Sequence, residues 1–176
     1  MPDLQTARLT TRSFTLDLVR AALDDRTALA RLLEAQVPDD WPGPDVAEIL
    51  PLLKLERERN PQSAQWSGLI LHSADRILIG DIGFKGGPNS ASAVEIGYSI
   101  IPAYRRQGYA SEAAQAMIKG ALAQPGVAHV TAECLIDNIG SIRVLERIGM
   151  RRVGLEETHE GTLIKWELLP DQAPPA

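Results

Sequence analysis

Cysteine is almost absent from the 176 residues: Cys134 stands alone. No internal disulfide can form, and a reducing, cytoplasmic setting is expected. No run of about 18 apolar residues occurs, which excludes a helical membrane span. The stretch Met1-Pro-Asp-Leu-Gln-Thr6 has no basic region leading into an apolar core, so no secretory signal is expected there. Basic charge is also short. Eighteen Lys and Arg against 23 Asp and Glu leave a net charge of −5. That argues against nucleic acid as the main partner, because a phosphate backbone calls for a basic stripe, and it suits a cationic substrate such as an amine. His72, His129 and His159 share no metal-ligand spacing, so no metal site is expected. Neither G-x-x-x-x-G-K-[ST] nor G-x-G-x-x-G occurs, which removes support for triphosphate and dinucleotide sites. Internal repeats and domain linkers are lacking too. What is present, 44% hydrophobic and 23% charged residues, is enough for one well-filled core.

The pattern of residues predicts an α/β order. Leu9–Phe14 alternates like a first strand. Asp24 or Asp25 is placed to cap a helix through about Gln36, with Ala28, Leu29, Leu32 and Leu33 at helical spacing. A Pro-rich loop from Pro38 to Pro44 surrounds Trp41, after which Asp45 restarts a helix that Pro51 is expected to kink or restart. Strands are expected over Trp66–His72, Arg76–Phe84 and Ala93–Ile101, then a helix over Gln107–Ala123 with Ala113, Ala114, Met117 and Ile118 on one face. Val127–Ile136 reads as a strand, Ile139–Arg147 as a short helix closing at Gly149, and Arg151–Leu155 and Thr162–Leu169 as two last strands. The sum is a single domain with a mixed sheet. Three prolines in the last seven residues make 170–176 a loose tail.

Three segments carry chemistry. In Tyr98-Ser-Ile-Ile-Pro-Ala-Tyr-Arg-Arg-Gln-Gly-Tyr-Ala-Ser-Glu112 an apolar strand meets a Pro break, an Arg/Gln/Gly turn and a helix start. Such a start offers unpaired N–H groups and the positive end of a helix dipole to a phosphate, and Arg105 or Arg106 adds a charge-assisted contact. An ordinary glycine-containing helix start fits the R-x-x-G-x-A pattern as well. Upstream, alternation puts Glu95, Gly97, Ser99 and Ile101 on one strand face and Val94, Ile96, Tyr98 and Ile100 on the other. The first face suits a ligand lying along the strand with Glu95 beside it, and equally the wet side of a half-buried strand. Downstream, Asn138 precedes a helix as a natural N-cap, with Ser141 three residues on.

Taken in order, Glu95-Ile-Gly-Tyr-Ser-Ile100, Tyr104-Arg-Arg-Gln-Gly-Tyr-Ala-Ser-Glu-Ala113 and Asn138-Ile-Gly-Ser141 through Ile148-Gly-Met150 resemble the GNAT N-acetyltransferases, within them the RimJ/RimL-type branch. The resemblance covers about residues 66–169 and only loosely the N-terminal part. It implies a mixed, mostly antiparallel sheet with splayed central strands and flanking helices. Residues 1–65 would then form the acceptor side and 66–169 the CoA-binding core. It implies acetyl-CoA as co-substrate and an acetyl group passed to a primary amine, a protein N-terminus or a small molecule, by a monomer or homodimer. Arg105, Arg106, Gln107, Gly108, Tyr109, Ala110 and Ser111 would bind the CoA pyrophosphate. Ser99, Ile100 and Ile101 would pair with the pantetheine arm, and Asn138 would contact CoA.

Glu95 aligns with the family's general base, which takes a proton from the amine directly or through water. A backbone N–H near Ile100 or Ile101 would meet the oxyanion. Many relatives carry a Tyr seven residues after the Asn, as proton donor to the thiolate; Leu145 stands there, leaving Ser141 or water for that role. The same departure favours the alternative, a non-catalytic acyl-CoA-binding module, while Glu95 favours the enzyme. Glu133 is a second base candidate, Cys134 is expected as core filler, and Trp41 either lines the acceptor pocket or caps the core.

Overall fold

The computed structural model describes residues 3–169, and the tail expected over 170–176 lies outside them. Eight strands form the sheet: β1 (Leu4–Gln5), β2 (Leu9–Ser13), β3 (Ser67–His72), β4 (Ile77–Phe84), β5 (Ala93–Ile100), β6 (His129–Leu135), β7 (Arg151–Thr158) and β8 (Gly161–Leu168). Their order is β1-β2-β3-β4-β5-β6-β8-β7, and every neighbouring pair is antiparallel except β5 with β6. The helices are α1 (Leu16–Asp24), α2 (Arg26–Leu33), α3 (Pro44–Arg59), α4 (Tyr109–Leu122) and α5 (Ile139–Arg147). Among the described residues no helix is long and apolar enough to cross a membrane. The expected mixed, mostly antiparallel sheet flanked by helices is the one observed.

The N-terminal helices depart from expectation. The helix expected from Asp24 or Asp25 to Gln36 is α2, shorter than expected, and a further helix precedes it. Asp25 does cap α2, its side chain accepting from the Ala28 N–H at 2.9 Å, but α2 ends at Leu33, where Glu34 turns left-handed at φ 52°. Before it lies α1, which buries Leu18, Val19 and Ala21. Thr15 is the N-cap of α1, a residue type suited to that place, although its side chain makes no cap bond. Pro51 neither stops nor restarts α3, which runs unbroken for 16 residues. A helical proline forfeits one backbone bond. Pro51 and Ala47, the residue whose carbonyl it would have bonded, are both exposed, so solvent can meet that carbonyl.

Small residues set the packing beneath the central strands. Ala113, Ala114, Met117, Ile118 and Ala121 of α4 are all buried, forming an apolar stripe at helical spacing against the sheet. On β6 burial alternates, with Val130, Ala132 and Cys134 buried. Cys134 is core filler, its Sγ receiving the Trp166 Nε1–H at 3.3 Å.

The feature that positions everything else is the junction of β5 and β6. They pair at three positions only: Ala93 with His129, Val94 with Val130, and Glu95 with Thr131. Beyond Glu95 the strands part, which is the expected splay, while β5 remains paired along its other edge to β4 from Phe84–Ile96 to Gly80–Ile100.

Candidate active site

Three structures converge on this fork: a bare helix start, an unpaired strand edge and an apolar cleft.

The helix start comes first. After β5 a short 3-10 turn spans Pro102–Tyr104, and Arg106 and Gly108 take left-handed conformations at φ 60° and 84°. Gly108 is the N-cap of α4 and no side chain caps the helix. The first intrahelical bond is Glu112 N–H to Gly108 O at 3.0 Å, so the N–H groups of Tyr109, Ala110 and Ser111 have no acceptor within the helix. Two arginines not singled out by the sequence stand here with Arg105 and Arg106. A Cβ placed on Gly108 would lie 3.5 Å from Arg8 Nη2 and 3.8 Å from Arg147 Nη1. Arg8 donates to Gln107 O at 3.1 Å and pairs with Glu112 at 2.7 Å. Burial would raise the Glu112 carboxyl, but hydrogen bonds from Thr6 and Arg8 outweigh it and hold the pKa low. Arg105 instead folds back, its Nε donating to Ile100 O at 2.7 Å.

The strand edge is read from its bonds. Ile101 N–H donates to Ile79 O at 2.8 Å. Antiparallel alternation then turns the N–H and C=O groups of Tyr98 and Ile100 toward the gap left by β6. Of the two residues offered for oxyanion contact, Ile101 therefore has its N–H engaged within the sheet, and Ile100 faces the fork. Across the gap, Asn138 caps α5, its Oδ1 accepting from Ser141 N–H at 3.0 Å. Ser141 Oγ lies 3.1 Å from the Tyr98 hydroxyl. Burial pushes the Tyr98 pKa up to about 12, so its hydroxyl keeps its proton. Leu145 is fully buried in the core and offers nothing to the fork.

The cleft lies between α3 and the β4–β5 face, with a volume of about 520 Å³. Its walls are largely apolar, from Phe14, Val46, Ile49, Leu53, Trp66 and Phe84. Gly97 lies on its floor, where an added Cβ would find no atom within 4 Å. Asp81 of β4 faces Ser99 of β5 in register. Its Oδ2 accepts from Ser99 Oγ at 2.8 Å and from Trp41 Nε1 at 3.0 Å. Burial pushes the Asp81 pKa up to about 6, against the pull of those two hydrogen bonds. Trp41 is buried in the core and serves the cleft only through that indole N–H.

The two carboxylates that the sequence offered as bases are engaged. Glu95, at the apex of the fork, pairs with Lys85 Nζ and is not among the residues lining the cleft. Glu133 pairs with Lys165, which also holds Glu156. Sequence reasoning missed Asp81 and Tyr98 as site residues. Ile-Gly-Asp-Ile-Gly reads as an ordinary strand, and the Tyr98 side chain was assigned only to the face opposite Glu95. Among the described residues no group of three His, Cys, Asp or Glu side chains is placed to hold a metal ion.

The chain matches the family model described as acetyltransferase (GNAT) domain over residues 9–151. It is 31% identical over 147 residues to the uncharacterized N-acetyltransferase YjdG of Bacillus subtilis, covering 83% of this chain and 88% of that protein. A GNAT-family acetyltransferase structure from Bacillus anthracis superposes with a TM-score of 0.67 at 24% identity, over 97% of this chain and 99% of that one. The RimL ribosomal L7/L12 α-N-protein acetyltransferase, solved in complex with coenzyme A, superposes with a TM-score of 0.68 at 18% identity, over 97% and 99% of the two chains.

Proposed function

The chain belongs to the GNAT acetyltransferase family, and from that premise we propose that it moves an acetyl group from acetyl-CoA to a primary amine by direct attack. The observation that carries this reading is the β5–β6 fork opening onto the uncapped start of α4. The donor groups fit CoA. The N–H groups of Tyr109, Ala110 and Ser111, at the positive end of the α4 dipole, would hold the pyrophosphate with Arg106 and its neighbours Gln107 and Gly108. Tyr98, with its N–H and C=O, and the N–H of Ile100 present a strand edge left unpaired by β6 and suited to the amides of the pantetheine arm, while the Ile100 carbonyl is taken by Arg105. Coenzyme A bound to the RimL structure supports the assignment by analogy. Bound there, acetyl-CoA would supply the thioester.

The residues of the chain then divide the work. Residues 1–65 supply one wall of the cleft for the acceptor, through Phe14 and α3, and residues 66–169 supply its floor and the donor side. Ile100 N–H is suited to meet the oxyanion. Ser141, hydrogen-bonded to a Tyr98 hydroxyl that stays protonated, is the donor to the departing sulfur, and Asn138 fixes that helix end. A carboxylate on the cleft face of the sheet takes the proton of the amine. Glu95, the base implied by resemblance, and Asp81 both project from that face. The RimL neighbour is a ribosomal L7/L12 α-N-protein acetyltransferase, which favours a protein N-terminus among possible acceptors.

Release of free thiol from acetyl-CoA, followed with small amines and with peptides, tests the reading. At least one primary amine is expected to raise release well above hydrolysis, with the acetyl group found on its nitrogen. Binding of CoA with no transfer to any amine would leave an acyl-CoA-binding module instead.

A further inference from the structure

We infer that Asp81, not Glu95, meets the amino group of the acceptor and takes its proton, and that the acceptor is a primary ammonium carried on an apolar body. This rests on the reading of the chain as an amine acetyltransferase and deepens it. Both hydrogen bonds to Asp81 arrive at one oxygen, Oδ2. Oδ1 has no partner among the described residues, yet no buried side-chain oxygen or nitrogen there lacks one, so Oδ1 is reachable from the cleft that Asp81 lines. Among the described residues Asp81 has no ion-pair partner, and its surroundings supply none. Of the charged groups lining the cleft, Asp45 at the start of α3 is another unpaired acid. Glu56 is bound by Arg57, which is itself held by Ser63, Ser67 and the Phe14 carbonyl, and Lys85 is bound by Glu95. The cleft thus holds uncompensated negative charge among apolar walls, complementary to a cation on a hydrophobic body.

Distance separates the two carboxylates. Glu95 stands four residues before Ser99, the partner of Asp81 across the strands. At about 3.3 Å of rise per residue they are roughly 13 Å apart along the sheet, too far to touch one amine. Asp81 lies inside the cleft and Glu95 outside it. Glu95 and Lys85 instead close the end of the fork where β5 and β6 still pair.

The proton count closes. Asp81 Oδ1 takes one proton from the ammonium, and the freed lone pair forms the C–N bond to the acetyl carbon as the C–S bond breaks. The second N–H proton compensates the sulfur, which leaves as a thiol with Ser141 as donor, and Asp81 gives its proton to water. The net products are an amide, a thiol and one proton. Among the described residues no histidine lines the cleft, so an enzymatic ionisation near pH 6 has Asp81 as its source; Asp45 faces it from α3 and raises it further, and Glu56, Arg57, Lys85 and Tyr98 line the surrounding walls.

The test compares wild type with Asp81→Asn, Ser99→Ala and Glu95→Gln, using phenethylamine, spermidine and tetrapeptides beginning with Phe or Asp. Wild type is expected to prefer phenethylamine or the Phe peptide, whichever source is the true one, and its kcat/KM to rise with pH through about 6. Asp81→Asn should lower kcat/KM about 100-fold or more, erase that limb and leave CoA affinity unchanged. Ser99→Ala removes one donor to Oδ2 and should move the limb to higher pH, a readout available even if Asp81→Asn folds poorly. Near-wild-type turnover in Asp81→Asn, loss of the limb in Glu95→Gln instead, or preference for the Asp peptide would overturn the inference while leaving the acetyltransferase intact. Absence of transfer to every amine would overturn both.

Discussion

A carboxylate that is kept for chemistry is expected to cost stability, and Asp81 carries that signature. Its pKa stands at about 6 in the fold against 3.8 for an unburied aspartate. The folded chain therefore binds this proton more tightly than the unfolded chain. The contribution of Asp81 is most favourable below about pH 4, worsens as pH rises through about 6, and is constant above. Asparagine keeps an acceptor for Trp41 or Ser99 and loses the charge. Asp81→Asn is thus expected to unfold at higher temperature than wild type at pH 8, by no more than about 3 kcal/mol, and to lose the advantage at pH 4. Thermal unfolding at the two pH values checks this, and a drop in stability at pH 8 would make Asp81 a structural residue. Glu95 was legible from strand alternation and its motif. Asp81 was not, because its meaning depends on Trp41, 40 residues earlier, and Ser99, 18 residues later. Nor does any local pattern announce that Lys85 would occupy Glu95.

Among the elements, those governed by short-range signals were read nearly to the residue. Helix α5 runs over Ile139–Arg147 as expected, capped by Asn138 and closed at Gly149 with φ 87°. The strand–turn–helix from β5 to α4 also stands where expected. Helix α1 was missed although Thr15 is an N-cap type, and the continuity of α3 through Pro51 was not read because the cost of a helical proline depends on exposure, which sequence does not state. The turn before α4 gives the prediction at this scale. Gly108 sits at φ 84° with two guanidinium groups near its missing Cβ. A β-branched residue there is strained and crowds the place where phosphate would lie. Gly108→Val is expected to weaken CoA binding about tenfold or more, by calorimetry, with acceptor KM little changed. Unaltered CoA affinity would remove the phosphate role from this turn.

At the scale of the whole molecule, the fold class was legible because periodicities of two and 3.6 alternate along the chain, and the resemblance supplied the splay. The docking of α3 was not, since beside its buried Val46 and Leu50 it uses a buried cation. Arg57 of α3, only 2% exposed, donates to Phe14 O, Ser63 Oγ and Ser67 Oγ and pairs with Glu56. It thereby ties α3 to the residue that follows β2, to the 3-10 turn Pro61–Trp66 and to the first residue of β3. Arg57→Leu leaves those acceptors without their donor and is expected to destabilise the chain by about 3 kcal/mol, measured by urea unfolding, and to raise the acceptor KM more than that for acetyl-CoA. Equal effects on both would uncouple this contact from the cleft. The fork has a consequence of its own. Strands β1–β5 and β6–β8–β7 are two half-sheets stitched together over three residue pairs. On the proposed function, the last strand of this architecture arrives from solution and is consumed. Each catalytic cycle then completes the sheet and takes it apart again, so the donor is a temporary building element of the enzyme that spends it.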